Sequence, residues 1–470
     1  MRSLRKSFYA VALFAAAAVL SGCGSSSSTP TEVVVPPPAR AVLGVALQTT
    51  VHDAATGLPI KPTAPEQVTV VIYGADANKV VNIDGVSLYS AANGFAGPVT
   101  AASGLFTIYL KPGTPVPAQM ALRLVASAKG FVNSSADLVI KSTDLKTDGT
   151  TTAIPVDIAL VNQTAPPPTV VVVATPIVVT NGTTAATAST NKTPESTTVV
   201  GGATVSLGSA TVVVPATTTI YADAAKTVPL PAGSTSVNVT YNNNTAVTSL
   251  ATFPGGLTVS QSASGTPLAA PAVFITGGFA SIEVVSTAAD GTVTKAKTFD
   301  KPLSVTIPIP KATINPQTGK LVAAGDVIPI WSYDTTTGAW SVLKLNNGTL
   351  VSGTLGALDT SNNTFPVTFA TDHLTYMSPG WVTAADQQCS NAAITIAGAK
   401  GNRLDLLATR SGNGWLSDWV LAADAAKPAT ALSNIGAAPR NTPVTIEAYQ
   451  GNTLVGTLTV GDLCASGITL

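Results

Sequence analysis

Cysteine and histidine are nearly missing from this chain of 470 residues. Cys23, Cys389 and Cys464 are its only thiols, and His52 and His373 its only imidazoles. Most His/Cys metal sites and every c-type haem attachment are therefore excluded, because each needs several such ligands together. Charge is scarce as well: Lys and Arg number 24, Asp and Glu 24, and the formal net charge is zero. A nucleic-acid binder needs a clustered excess of Lys and Arg, so that class is excluded too. No Gly-x-Ser-x-Gly elbow occurs, no Gly-rich phosphate loop runs into Lys-Ser/Thr, and no Asp-x-Asp-x-Asp-Gly calcium loop is present. Past the first residues, no apolar run reaches the roughly 18 positions of a spanning helix. Neither a cofactor nor a metal is expected.

What the chain does have is apolar and turn-forming. Hydrophobic residues make up 45%, against 10% charged and 5% aromatic, with 39 Gly and 33 Pro. Such a composition excludes charge-driven disorder. With its many Thr and Val residues, it points to short strands joined by turns. The length suits about three domains.

The N-terminus reads as an address. Arg2, Arg5 and Lys6 precede an apolar run from Phe8 to Leu20, which stops at Leu20-Ser21-Gly22-Cys23. A short run with small residues behind it is a signal peptide rather than a spanning helix. Leu-Ser-Gly-Cys resembles the lipobox of bacterial lipoproteins. The resemblance implies cleavage before Cys23 and lipidation on it, by a diacylglycerol thioether and an N-acyl chain. At ~0.8 kcal/mol per buried methylene, several acyl chains anchor far more firmly than one. Gly24 follows where the family's inner-membrane members carry Asp, which implies the outer membrane. Residues 23–40 then form a flexible Ser/Pro tether.

From Val45 onward, apolar residues alternate with small or polar ones. Runs of this kind lie at 45–51, 68–73, 105–110, 122–128 and 156–161, with turn signals such as Thr56-Gly57 and Asp148-Gly149 between them. Short alternating strands at this spacing predict an antiparallel sandwich over 41–163. The motifs Asp53-Ala-Ala-Thr56-Gly57-Leu-Pro59-Ile60, Gly104-Leu-Phe106 and Ala126-Ser-Ala-Lys-Gly130-Phe131 resemble the carboxypeptidase-regulatory, or transthyretin-like, sandwich, an accessory module without catalytic residues. His52 is read as a strand-end surface residue.

Residues 164–198 are read as a Pro/Thr linker, although Val170–Val173 and Ile177–Val179 are apolar enough to pair with a neighbouring sheet. Over 199–385 strands are expected at 203–207, 211–214, 236–241, 279–285, 303–309, 327–333 and 364–370. Pro215, Pro308, Pro310, Pro329 and Pro366 should mark edges, bulges or strand ends. Residues 386–470 form a small C-terminal β-domain with strands at 393–397, 404–409, 444–449 and 453–460, a Gly451-Asn452 hairpin turn and a short helix within 415–430. Cys389 and Cys464 bracket it. In an exported chain two remaining cysteines are expected to pair, two thiols being the alternative. The fold class is thus all-β: tandem antiparallel β-sandwiches, Ig-like or transthyretin-like, on a lipidated tether.

One constellation carries chemistry. Trp331-Ser-Tyr333, Gly338-Ala-Trp340 and Phe365-Pro-Val-Thr-Phe369 lead to His373-Leu374-Thr375, with Trp381 beyond. This order resembles the ZU-type sandwich and the related autoproteolysis-inducing (GAIN) domain of adhesion receptors, in which the chain is cut between Leu and Thr. Carried over, His373 would be the base, Thr375 the nucleophile and Leu374-Thr375 the scissile bond. A Thr hydroxyl in a tight turn can attack the preceding carbonyl once a His takes its proton. The receptor site's paired cysteines have no counterpart between residues 24 and 388. Trp415 and Trp419, in a Gly-rich context, are either a binding surface for sugar or protein, or core anchors.

The reading that follows is a non-catalytic outer-membrane surface lipoprotein whose β-sandwiches serve adhesion, scaffolding or envelope interaction. Its expected partners are the membrane, through the lipid, and a protein or glycan, but no nucleic acid. Two alternatives stand beside it: a self-processing surface protein, and a carbohydrate-binding accessory module using Trp415 and Trp419.

Overall fold

The computed structural model describes residues 44–111, 119–141, 152–190, 198–200, 203–205, 208–334, 338–389, 392–396, 404–410, 414–417, 420–423, 432–435, 438–450 and 453–470. Cys23, the tether, Trp419 and the Gly451-Asn452 turn lie outside them. The regular elements of the described residues are nearly all strands, and no helix among them is long and apolar enough to cross a membrane.

Alternation sets which face is buried. In Val45–Asp53, Leu47, Thr49 and Val51 point inward while Gln48 is exposed. Burying each Val or Leu contributes roughly 1.5–3 kcal/mol, so a one-residue slip would expose the whole set. Two five-stranded sheets close over this core. One is ordered Val80–Val81, Leu105–Leu110, Val45–Asp53, Thr152–Asn162, Phe131–Val132. The other is ordered Tyr89–Ser90, Phe95–Ala101, Val68–Tyr73, Gln119–Ser127, Ser134–Lys141. All pairs are antiparallel but one: Val45–Asp53 lies parallel to Thr152–Asn162, from Val45↔Thr152 to Asp53↔Leu160. His52 stands near the end of its strand, half-buried, with Nδ1 3.5 Å from Asp157 Oδ1.

The second sandwich stacks a ten-stranded sheet on a five-stranded one. Along the large sheet run Val170–Ile177, Ser234–Asn242, Phe279–Thr287, Tyr376–Val382, Pro267–Thr276 and Thr258–Gln261, and Val327–Asp334 pairs with Tyr376–Val382. The facing sheet centres on Thr298–Pro310, flanked by Thr211–Val214 and Thr364–His373. Part of the segment read as a linker is therefore a strand. Val170–Ile177 pairs along its whole length with Ser234–Asn242, as the outermost strand of the large sheet. Pro308 stands directly opposite Pro366, so neither lacks a ladder partner for an N–H it does not possess.

In the C-terminal segment, Val420–Ala423, Leu404–Arg410, Val444–Gln450 and Thr453–Val460 form one sheet, and Leu432–Ile435, Ala392–Thr395 and Ile468–Thr469 another. Among the described residues of 415–430 the expected helix is corrected to extended chain. Val420–Ala423 is a strand paired with Leu404–Leu406, and Leu416 bridges Thr409. Cross-strand pairing outweighs the weak helical preference of so short a stretch. Cys389 and Cys464 are disulfide-bonded, with Cα atoms 5.8 Å apart.

Burial divides the chain into two cores. One holds Val45 to Leu160; the other runs without a break from Val132 through Trp331 and Trp381 to Trp415 and Ile468.

Candidate functional site

The strand Thr364–His373 ends at the predicted His-Leu-Thr, and the next begins at Tyr376. Asp372 is buried there. Its Oδ2 accepts the Asn346 N–H at 2.7 Å, and its Oδ1 lies 3.2 Å from His373 Nδ1. The Thr371 hydroxyl donates to the His373 carbonyl at 2.8 Å, and the Thr298 hydroxyl to the Asp372 carbonyl at 2.9 Å. These bonds pin the backbone entering the turn. Leu374 is half-buried against the core. The Thr375 hydroxyl donates to the Tyr333 carbonyl on the neighbouring strand, and the Thr375 carbonyl accepts the Ile282 N–H at 3.2 Å. His373 is thus paired to a carboxylate, while the Thr375 proton has a backbone carbonyl as its acceptor. The three residues are adjacent, but the hydroxyl is not aimed at the imidazole in this arrangement.

Beside this turn lies an aromatic wall. Trp340 stacks on Phe253 with centroids 4.6 Å apart, Tyr333 lies 5.3 Å from Trp340, and Tyr376 meets Tyr333 edge-on at 5.9 Å. Each such pair contributes about 0.5–1.5 kcal/mol beyond its buried area. The polar tips are satisfied: Trp340 Nε1 donates to the Pro254 carbonyl at 2.6 Å, and Trp331 Nε1 to the Gly380 carbonyl at 3.1 Å. Burial holds the Tyr333 and Tyr376 phenols well above the usual tyrosine range.

The wall is where the first sandwich joins the second. The Tyr376 hydroxyl donates to the Asn133 carbonyl, and the Tyr333 and Ser135 hydroxyls share a hydrogen bond. Gly255 N–H donates to the Ser135 carbonyl at 3.2 Å. Val132 and Val161 of the first sandwich sit in the core of the second. Arg123 bridges Asp137 beside them, Nε to Oδ1 at 2.5 Å and Nη2 to Oδ2 at 2.8 Å. Burial raises the Asp137 carboxyl in spite of that opposing charge. Gly338 lies against Arg123, where a Cβ would come within 2.0 Å of the Arg123 Cδ.

A second joint ties the C-terminal segment on. Gln388 Oε1 accepts the Val273 N–H at 2.7 Å and the Thr383 hydroxyl at 2.8 Å. Gly414 N–H donates to the Asn244 carbonyl at 3.1 Å, and its own carbonyl accepts the Thr276 N–H at 3.0 Å. Burial pushes the Arg410 guanidinium down to about 10; its Nη atoms lie 3.4 Å from the Ile314 carbonyl.

Of its two readings, Trp415 takes that of a core anchor. It is 2% exposed, so it is a core anchor and not a surface for sugar or protein. Its position beside Gly414 folds it under the joint, a long-range outcome that the Gly-rich context does not reveal. Sequence reasoning also missed Asn133, Ser135, Gly255 and Gln388. No local motif marks them, and most of their partners lie far away in the chain. Among the described residues no group of three or more His, Cys, Asp or Glu side chains is placed to hold a metal ion.

No protein family, curated protein or solved structure matches this chain.

Proposed function

We propose that this chain is a lipid-anchored lipoprotein of the bacterial outer membrane whose joined β-sandwiches act as a non-catalytic scaffold for adhesion or display at the envelope. The anchor is supported by Leu20-Ser21-Gly22-Cys23 behind a positively charged apolar run. The likeness of 41–163 to the carboxypeptidase-regulatory sandwich, and of 199–385 to the ZU-type and GAIN sandwiches, belongs to the same proposal.

One observation carries the scaffold reading. The sandwiches meet through a buried hydrogen bond at Ser135–Tyr333 and a part-buried one at Asn133–Tyr376, and the C-terminal segment continues the second core. Domains on flexible linkers move by default, whereas a shared apolar wall with satisfied polar groups fixes their orientation. Fixed orientation suits a load-bearing or displaying body.

A second reading is self-processing, which the Asp372–His373 pair next to Leu374-Thr375 favours. It requires the Thr375 hydroxyl to leave the Tyr333 carbonyl and turn to the imidazole.

Fractionation of cells producing the full chain tests both readings. The protein is expected with the outer membrane, and a Cys23→Ser variant in the soluble fraction; membrane recovery of that variant overturns the anchor. Limited proteolysis is expected to spare both joints, and early cleavage at 133–135 or 414 overturns the rigid scaffold. On a denaturing gel the chain is expected intact. A fragment of residues 375–470, absent from Thr375→Ala, would replace the scaffold reading with self-processing.

A further inference from the structure

The C-terminal sheet ends in an open strand. Thr453–Val460 is outermost in it and pairs on one side with Val444–Gln450. Among the described residues no backbone hydrogen bond is made along its other side. An open edge is a template for a further strand, and proteins blunt such edges with proline, charge or shortness. Among the described residues the other long edge strands carry proline or charge, as Thr364–His373 does at Pro366 and Asp372. Pro176 interrupts Val170–Ile177, and Asp137 and Lys141 stand in Ser134–Lys141. Thr152–Asn162, covered only by the two residues Phe131–Val132, holds Pro155 and Asp157. Thr453–Val460, with the sequence TLVGTLTV, has neither proline nor charge.

We infer that this edge pairs with the same edge of a second copy, antiparallel about a two-fold axis centred on Leu458. The residues Gly456-Thr457-Leu458-Thr459-Val460 are nearly palindromic, and this points to a copy of the chain rather than to another protein. Residues opposite one another in an antiparallel pair share a face. Centring on Leu458 therefore sets Leu458 against Leu458, Thr457 against Thr459, and Gly456 against Val460. On the outer face the threonines extend a hydroxyl contact already present, Thr445 to Thr459 at 3.1 Å. On the inner face Leu458 and Val460 are only half-buried, at the rim of the core. Their counterparts would cover them, and the Val460 counterpart would lie beside the Leu470 side chain that flanks Gly456. No charge opposes the approach. A two-fold interface demands this kind of self-complementarity. The two four-stranded sheets become one of eight. A single strand pair buries less than the ~1,200 Å² of a standard interface, so the association is weak and concentration-dependent.

Energy transfer between full-length copies labelled at their C-termini measures the pairing, because Leu470 packs against Gly456 and a dye there sits by the interface. Transfer is expected to rise with protein concentration. Thr457→Lys with Thr459→Lys sets like charges opposite one another and is expected to weaken association about tenfold or more. Thr457→Lys with Thr459→Glu places each introduced lysine against the other copy's introduced glutamate and is expected to restore it. Both threonines are exposed, so both variants should keep the wild-type melting temperature. The inference is overturned if wild type shows no transfer at any concentration, as it would were the edge reserved for another protein. It is also overturned if the double-lysine variant still associates, or if the lysine–glutamate variant fails to recover.

Discussion

Tyr333 and Ser135, 198 residues apart in sequence, share a buried hydroxyl–hydroxyl hydrogen bond that fastens the second sandwich to the first. Neither residue belongs to a local motif that announces the other. Each is positioned by its own strand, Tyr333 in Val327–Asp334 and Ser135 in Ser134–Lys141, and the joint exists because two independently formed faces meet.

Tyr333→Phe leaves the buried Ser135 hydroxyl without this partner and is expected to cost about 1–3 kcal/mol. Ser135→Ala should cost less once Phe is present. A double-mutant cycle by urea denaturation should therefore return a coupling energy of about 0.5–3 kcal/mol. Additive losses would show that the contact does not hold the joint.

Gly414 has φ +84°, and a Cβ there would come within 2.4 Å of the Thr276 carbonyl oxygen. Gly414→Ala is expected to destabilise by about 1–3 kcal/mol through backbone strain and loss of the second joint. At Gly461 a Cβ would meet nothing within 4 Å, so Gly461→Ala is the control, with an expected change within about 0.5 kcal/mol. Thermal melting of both variants measures the difference.

Alkaline pH should act through the buried phenols. Burial raises Tyr241, Tyr333 and Tyr376 well above the ordinary 10.0. Below pH ~10 both folded and unfolded chains keep these protons, and above it only the unfolded chain releases them. Stability is therefore intact below pH ~10 and falls as pH rises, by up to about 1.4 kcal/mol per unit for each residue. In an absorbance titration these three should stay unionised in the folded protein, while all 9 tyrosines ionise in denaturant. Full titration before unfolding would contradict the burial.

Reduction of Cys389–Cys464, which closes a separation of 75 residues, is expected to remove up to about 4 kcal/mol on the chain-entropy account. The C-terminal segment should then become the first region cut by protease. Unchanged melting under reductant would mean that the core it shares with the second sandwich suffices alone.

Where strands alternate cleanly, the sequence was legible. The runs at 68–73, 105–110 and 211–214 coincide with observed strands to the residue, and the cysteine pairing follows from the scarcity of thiols. Tyr376–Val382 shows where legibility ends. No strand is among those expected there, yet it is a central strand buried almost throughout. Gly380 is needed because the Phe274 ring occupies the place of a Cβ, with Cζ at 2.2 Å. The Pro379 carbonyl is used by the Gly277 N–H at 2.8 Å. Both reasons lie in residues about a hundred positions upstream. The candidate site behaves in the same way. His373, Leu374 and Thr375 stand out in the sequence, but the Tyr333 carbonyl that takes the threonine proton is visible only once the strands are side by side.

The parallel pairing of Val45–Asp53 with Thr152–Asn162 has a mechanical meaning. The chain enters the first sandwich at Val45, at one end of this strand pair, and leaves it past Asn162, at the other. Tension between a membrane anchor and a distal load would draw the two strands lengthwise past each other. All the register pairs from Val45↔Thr152 to Asp53↔Leu160 would then have to yield together in shear, rather than one after another as in a zipper pulled from its end. The first sandwich is thus arranged to resist a pull along the chain.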